Sequence, residues 1–453
     1  MLLSVSATRA QESDYFTIDK IDITGNKITR ERVIRRELMY EEGDTIRAIH
    51  LNQQLDRMKF NVQNTLLFIF VDVDTVDLGM KRIELHVSVK ERWYIFPVPY
   101  VYVAERNFST WLQNKDFSRI DYGMNLYWKN FSGNKDRLKL NIGGGFNENY
   151  YIEYQFPYLN KTQTLGIIFY GSFLRNHEIA YQSSFNNLDF FRKADEYVRR
   201  EWETYVGLTY RQGLYSMHEL DIGYQDTKVL DTITKLNPNY FGSSFNRASS
   251  FYVNYMYKRD LRDYKIFPLK GYYLEVELGK FGIGVLKNEL KGPFYASIKA
   301  TRYFTLVGPV YFQMGGKVKI GSVNRPYFNR FGLGYDLDFV RGYEKYVVEG
   351  PYFSYFKSNL KFSLFQDKII RLKFIKTEKF NTIPFSLYFN IHTDFGYVAP
   401  NQWVTVNNLN NTFLMGSGMG LELLTYYDRL WRLEYSINRL GQSGLFLTFF
   451  TSF

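Results

Sequence analysis

From Arg92 to the C-terminus the sequence keeps a period of two, and the two faces it defines differ sharply in polarity. Residues 385 to 397 put Phe385, Leu387, Phe389, Ile391, Thr393, Phe395 and Tyr397 on one side. Ser386, Tyr388, Asn390, His392, Asp394 and Gly396 fall on the other. The same dyad sets Trp431, Leu433, Tyr435 and Ile437 against Arg432, Glu434, Ser436 and Asn438, and Leu138, Leu140 and Ile142 against Lys139, Asn141 and Gly143. Successive side chains of a strand point to opposite faces, so this is strand patterning. A soluble sandwich also alternates, but it buries its apolar face and seldom lines it with so many large aliphatic and aromatic residues. Charges on one face and bulky apolar groups on the other fit a transmembrane β-barrel with a wet interior. Counting such runs predicts roughly sixteen antiparallel strands, an even number that returns both termini to one side. Their centres fall near 98, 124, 141, 153, 168, 205, 221, 254, 275, 298, 314, 360, 391, 418, 434 and 448.

Composition agrees. Phe (40), Tyr (39) and Trp (6) supply 19% of the 453 residues, and Pro is scarce at 11. A mean hydropathy of −0.31 leaves no run of about 20 apolar residues, which excludes a membrane helix but not a barrel. Residues 1–10 resemble the tail of an export signal, with Gln11 as the mature start. The absence of Cys suits an oxidising compartment without requiring one. The net charge of +11 is spread among acidic residues with no basic recognition helix, so nucleic acid is not an expected partner.

No constellation for catalysis, cofactor or metal emerges. His50, His86, His177, His218 and His392 are dispersed without ligand spacing. Gly416-Ser417-Gly418-Met419-Gly420 lies in an alternating strand and not in a strand-to-helix phosphate loop. His392 beside Asp394 reads as a lumenal polar cluster.

Residues 14 to 92 differ in period. An alternating run from Phe16 to Ile23 precedes a helical stretch from Thr29, with Val33, Ile34 and Leu38 on one face. A second helical stretch carries Leu51, Leu55 and Met58, and strands follow over Leu66 to Val73 and Ile83 to Val89. This β-α-α-β-β unit, with Gly25-Asn26 closing the first strand, Gly43-Asp44 between the helices and Val89-Lys90-Glu91-Arg92 at its exit, resembles a POTRA domain. The expected organisation is residues 1–10 as residual signal, 14–92 as this α+β domain, and 93–453 as the barrel.

The barrel resembles the BamA-type outer-membrane superfamily, the bacterial surface antigen barrels. Asp260, Arg262, Asp263, Phe267, Pro268 and Gly271 match its D-x-R-D-x-x-F-P-x-x-G turn. Val340-Arg341-Gly342-Tyr343 matches its VRGF/Y loop. Asp394-Phe395-Gly396 fits its F-x-D-x-G inner-wall motif, with His392 where the family has Phe, and Phe453 supplies the terminal aromatic of a strand read by the assembly machinery.

The resemblance implies that the loop folds into the lumen, with Arg341 gripping Asp394 beside Gly342, Tyr343 and Gly396; guanidinium suits a bidentate hold on a carboxylate. It implies a periplasmic turn at 260–271. It further implies an outer-membrane protein, termini in the periplasm, that helps insert or translocate other polypeptides without ATP. The partners implied are outer-membrane lipids, unfolded barrel or secreted clients, and other subunits of a complex. An exposed edge over Thr65, Phe68, Phe70 and Asp72, without Pro, Lys or a bulge to protect it, is the expected docking strand. The alternatives are a two-partner-secretion-type transporter and a passive structural subunit.

Overall fold

The computed structural model describes residues 15–103, 119–243, 245–286, 289, 292–372, 381–400, 407–425 and 429–450. The signal-like residues 1–10, Gln11 and Phe453 lie outside them. The chain divides between Arg92 and Trp93 into two compact units.

The first unit runs β1 (Tyr15–Thr24), α1 (Glu31–Arg35), β2 (Thr45–Arg47), α2 (Leu51–Gln63), β3 (Phe68–Gly79) and β4 (Arg82–Glu91). Its sheet has the order β2-β1-β4-β3, with β1 parallel to β4. The short β2 was not anticipated: three residues after the Gly43 turn pair back onto the start of β1. Ile18, Val33, Ile34, Leu38, Met58, Phe68 and Leu85 form a fully buried core between sheet and helices. The exit motif has a physical role. The buried Glu91 carboxylate accepts the main-chain N–H groups of Ile28 (3.0 Å) and Thr29 (2.6 Å), fixing the approach to α1.

Among the described residues the second unit is built on one antiparallel sheet of 16 strands. In sheet order these are β5 (Ile95–Val103), β6 (Ile120–Lys129), β7 (Arg137–Gly145), β8 (Glu148–Phe156), β9 (Leu165–Asn176), β12 (Arg199–Gln212), β13 (Ser216–Val229) and β14 (Arg247–Asp260). Then come β15 (Gly271–Phe281), β16 (Phe294–Thr305), β17 (Val310–Gly321), β20 (Tyr352–Arg371), β21 (Thr382–Val398), β22 (Leu414–Thr425), β23 (Arg429–Asn438) and β24 (Ser443–Phe450). Each expected strand centre falls within one of them. The remaining strands lie in connections: the hairpin β10 (Glu178–Ser184) and β11 (Asn187–Arg192), and the pair β18 (Gly332–Leu333) and β19 (Val348–Glu349). A short helix, α3 (Asp231–Leu236), interrupts the period of two expected from Arg92 onward.

Side-chain burial follows the alternation. Asn390, His392, Asp394, Glu422, Glu434 and Ser436 are buried inside, whereas Ile391, Met419, Leu421, Trp431, Leu433, Tyr435 and Ile437 are exposed outside. A barrel with charge within and a continuous apolar belt without is stable only where that belt is covered by lipid.

Several connections at the end opposite the start of β5 bond to one another. The β10–β11 tip reaches the segment between β17 and β20: Ser183 Oγ donates to Glu349 Oε2 (2.7 Å) and Val347 N donates to Asn186 O (2.9 Å). Asn186 N donates to Asn407 Oδ1 (2.7 Å), which recruits the β21–β22 connection. Ile179, Val198, Val229, Ile233, Tyr240, Phe241 and Tyr327 pack together as an apolar cluster among these connections.

Candidate functional site

The segment 322–351 leaves β17, folds inward and seats its tip on the inner wall of β20 to β23. Burying an arginine there requires that every donor be met. Arg341 Nε and Nη2 donate to the two Asp394 oxygens at 2.8 and 2.6 Å. Nη1 donates to Asn359 Oδ1 (3.2 Å) and Glu434 Oε1 (3.0 Å), and Nη2 also donates to the Ser358 carbonyl (3.2 Å). All five guanidinium N–H groups are thus used. The Arg341 main-chain N–H adds a bond to Asp394 Oδ2 at 3.2 Å.

Glycines create the space. Gly342 has φ +91° and its carbonyl accepts from Asn438 Nδ2 (2.8 Å). Across the wall, a Cβ on Gly416 would stand 1.7 Å from the Arg341 carbonyl oxygen, and one on Gly396 would stand 2.5 Å from Val340 Cγ2. Tyr343, Val340 and Leu333 fill the apolar seat with Phe353, Val398 and Leu414. His392, where the family motif has Phe, joins the polar wall: Nε2 faces Ser436 Oγ at 3.0 Å and Nδ1 faces Asn390 Oδ1 at 3.2 Å.

The turn 261–270 meets the same wall from the opposite end. Asp260 holds Arg262 through two bonds (2.7 and 2.8 Å), and Asp263 accepts the N–H groups of Tyr264 (2.8 Å) and Leu269 (3.1 Å). That frame turns Phe267 and Pro268 inward before Gly271 opens β15. Phe267 packs on Tyr388 with ring centroids 4.6 Å apart, and Lys361 Nζ lies 4.2 Å from the Phe267 centroid. Lys361 is itself paired with Glu422 (2.8 Å), which also accepts from Arg432 (2.8 Å). One wall, β20 to β23, therefore carries both inward-folded segments.

Sequence reading named Arg341 and Asp394 but missed Glu434, Asn359 and Gly416. The signal available was the period-two spacing of Gly416, Gly418 and Gly420, three inward positions without side chains.

The docking edge needs correction. Among the described residues β3 is an edge strand paired only with β4, but it begins at Phe68. Thr65 sits in the turn after α2, its hydroxyl bonded to the Val62 carbonyl at 2.6 Å. Phe68 is buried in the core. A register shift between Phe68 and Phe70 leaves Ile69 as a bulge, so the edge carries one of the devices expected to be missing. Phe70 and Asp72 remain exposed, and Lys59 pairs with Asp72 at 3.0 Å, holding its carboxyl below the usual range.

Comparison with known proteins follows these divisions. Residues 16–92 match the POTRA family, described as a surface antigen variable number repeat. The chain is similar in structure to BamA from Haemophilus ducreyi lacking POTRA domains 1-3, with TM-score 0.53 and 14% identity, covering 96% of this chain and 85% of that one. Its fold is that of the BamA and CdiB barrels. For CdiB from Escherichia coli the TM-score is 0.55 at 12% identity, covering 96% of this chain and 75% of that one. No curated protein matches the chain in sequence.

Proposed function

We propose that this chain is an outer-membrane protein, both termini periplasmic, that assists insertion of other polypeptides without ATP. In this reading the N-terminal module offers an edge strand, the barrel seam receives the client, and Arg341 locks the inward loop that shapes the lumen. Outer-membrane lipids cover the apolar belt, and unfolded barrel or secreted proteins are the clients.

The observation that carries the reading is the unfinished ladder. Among the described residues β5 pairs only with β6 and β24 only with β23, so two edges with open main-chain groups lie inside a membrane-spanning sheet. Unpaired N–H and C=O groups in lipid are costly, and an extended client strand can satisfy them. A second reading, a transporter that passes one extended substrate through the lumen, draws on the CdiB-like fold. Against it, the loop locked by Arg341 and the bonded connections over the mouth obstruct that path.

Depletion of the protein followed by quantitation of the outer-membrane proteome tests the proposal. Loss of a set of barrel proteins is expected. An unchanged outer membrane with one secreted protein retained in the periplasm would instead establish the transporter reading.

A further inference from the structure

The two edges of the seam are chemically unequal. Lys129 N donates to Tyr94 O at 2.8 Å, and Tyr94 lies opposite Lys129 in the register that continues as Ile95 opposite Trp128. Tyr94, Phe96, Val98, Tyr100 and Tyr102 therefore turn their main-chain groups toward β6, because facing residues of an antiparallel pair alternate between bonded and non-bonded. Ile95, Pro97, Pro99, Val101 and Val103 turn theirs toward the seam. Two of those five have no N–H at all. At Ile95 the carbonyl is already taken by the Trp93 indole N–H. The stretch of β5 nearest its start is thus poor in donors and partly blocked in acceptors.

The facing strand is intact. Asn438 N donates to Gln442 O at 2.9 Å, so Gly444, Phe446 and Thr448 face β23. Ser443, Leu445, Leu447 and Phe449 present N–H and C=O groups alike to the seam. Leu445, Leu447 and Phe449 also expose apolar side chains outward, so a strand that continues the sheet there must carry apolar residues on the same side.

We propose that β24, and not β5, is the edge that takes up an incoming extended segment of alternating polarity, with Pro97 and Pro99 keeping β5 from competing for it and from zipping the seam shut. The proposal rests on the insertion reading above, and its test separates the two. Proline is tolerated on edge strands because it cannot serve as a ladder donor, and here two of them stand on an edge that a closed barrel would need to pair.

The experiment compares the full chain in phospholipid vesicles with its Pro97→Val/Pro99→Val variant. In the first arm, without client, Val101→Cys is combined in turn with Leu445→Cys, Leu447→Cys and Phe449→Cys, in a chain that has no other cysteine. Restored donors are expected to raise the rate of disulfide formation across the seam about tenfold, as two regained hydrogen bonds would. An equal rate in both chains overturns the role of the prolines. In the second arm a photocrosslinking residue replaces Leu447 or Val101, and an unfolded small outer-membrane barrel is diluted in from urea. Adducts at 447, appearing at 101 only in the valine variant, support the proposal. Adducts at 101 but not 447 in the proline chain overturn it. Adducts at neither position overturn strand uptake as a whole, while the first arm still decides whether the prolines hold the seam apart.

Discussion

Gly416 and Arg341 are sterically matched: the Arg341 carbonyl oxygen occupies the space that any side chain at 416 would need, 1.7 Å from an ideal Cβ. The obstructing atom is main chain and cannot rotate away. Gly416→Ala is therefore expected to unseat the loop tip although it adds one methyl group, at a cost of about 1 to 3 kcal/mol. Gly144→Ala, where a Cβ meets nothing within 4 Å, is the control. The temperature at which the folded barrel converts to its slow-migrating unfolded form on gels measures both; an equal shift in the two variants refutes the steric account.

The Arg341 cluster makes a second prediction. Arg341→Ala leaves two buried carboxylates, Asp394 and Glu434, without their shared cation, and breaking a buried pair costs about 3 to 5 kcal/mol. Asp394→Asn should cost less, because Glu434 and Asn359 continue to hold the guanidinium. If the two residues are partners, the double variant loses less stability than the sum of the singles. Strict additivity in a denaturant or thermal series would show that they act independently.

At the other end of the same wall, Phe267 should matter through both volume and ring charge. Phe267→Ala empties a buried aromatic site, a change worth about 3 to 5 kcal/mol. Phe267→Leu keeps most of the volume but removes the face presented to Lys361, and should retain most of the stability. If leucine proves as damaging as alanine, the ammonium contact outweighs the packing.

What the sequence made legible was whatever changes residue type along the chain. The faces of β21 and β23 were readable because polarity alternates with the pleat, and Asp394 was readable because it follows His392 and Asn390 on the inward side. Glu434 was not, since an inward glutamate in a wet barrel looks the same whether it meets a loop arginine or water. The β10–β11 hairpin alternates at the same period as the wall strands, so nothing local distinguishes a strand that crosses the mouth from one that completes the barrel. The bulge at Ile69 is a matter of register against β4 and leaves no signature in residue identity.

The edge of the N-terminal module remains a candidate docking strand despite that bulge. Photocrosslinking residues at Phe70, Asp72 and Val76, all exposed, should yield adducts with other polypeptides. Phe70→Pro is expected to weaken capture more than Phe70→Ala, because proline also removes a main-chain donor and bends the strand. Protease resistance of the module checks that both variants stay folded. Adducts confined to the chain itself would remove β3 from the docking mechanism.

The mouth provides the last prediction, and it bears on which function holds. Asn186 is buried at the β10–β11 tip, where its main chain bonds Asn407 (2.7 Å) and Val347 (2.9 Å) and its side-chain oxygen accepts from Leu409 N (3.2 Å). Its φ of +60° is one that asparagine tolerates better than most residues. Asn186→Ala therefore loses both side-chain bonds, from Leu409 N and to the Val347 carbonyl, and strains the turn, which should detach the tip while the strands on either side keep their ladders. If the bonded connections seal the lumen, the variant in a planar bilayer will show larger and more frequent current steps than the parent chain. Arg341→Ala, which frees the loop beneath, should enlarge them further, since the two changes remove successive obstructions along one path. Equal conductance in parent, single and double variants would mean that the connections do not form the barrier. The objection to passage through the lumen would then fall, and with it the preference for insertion at the seam.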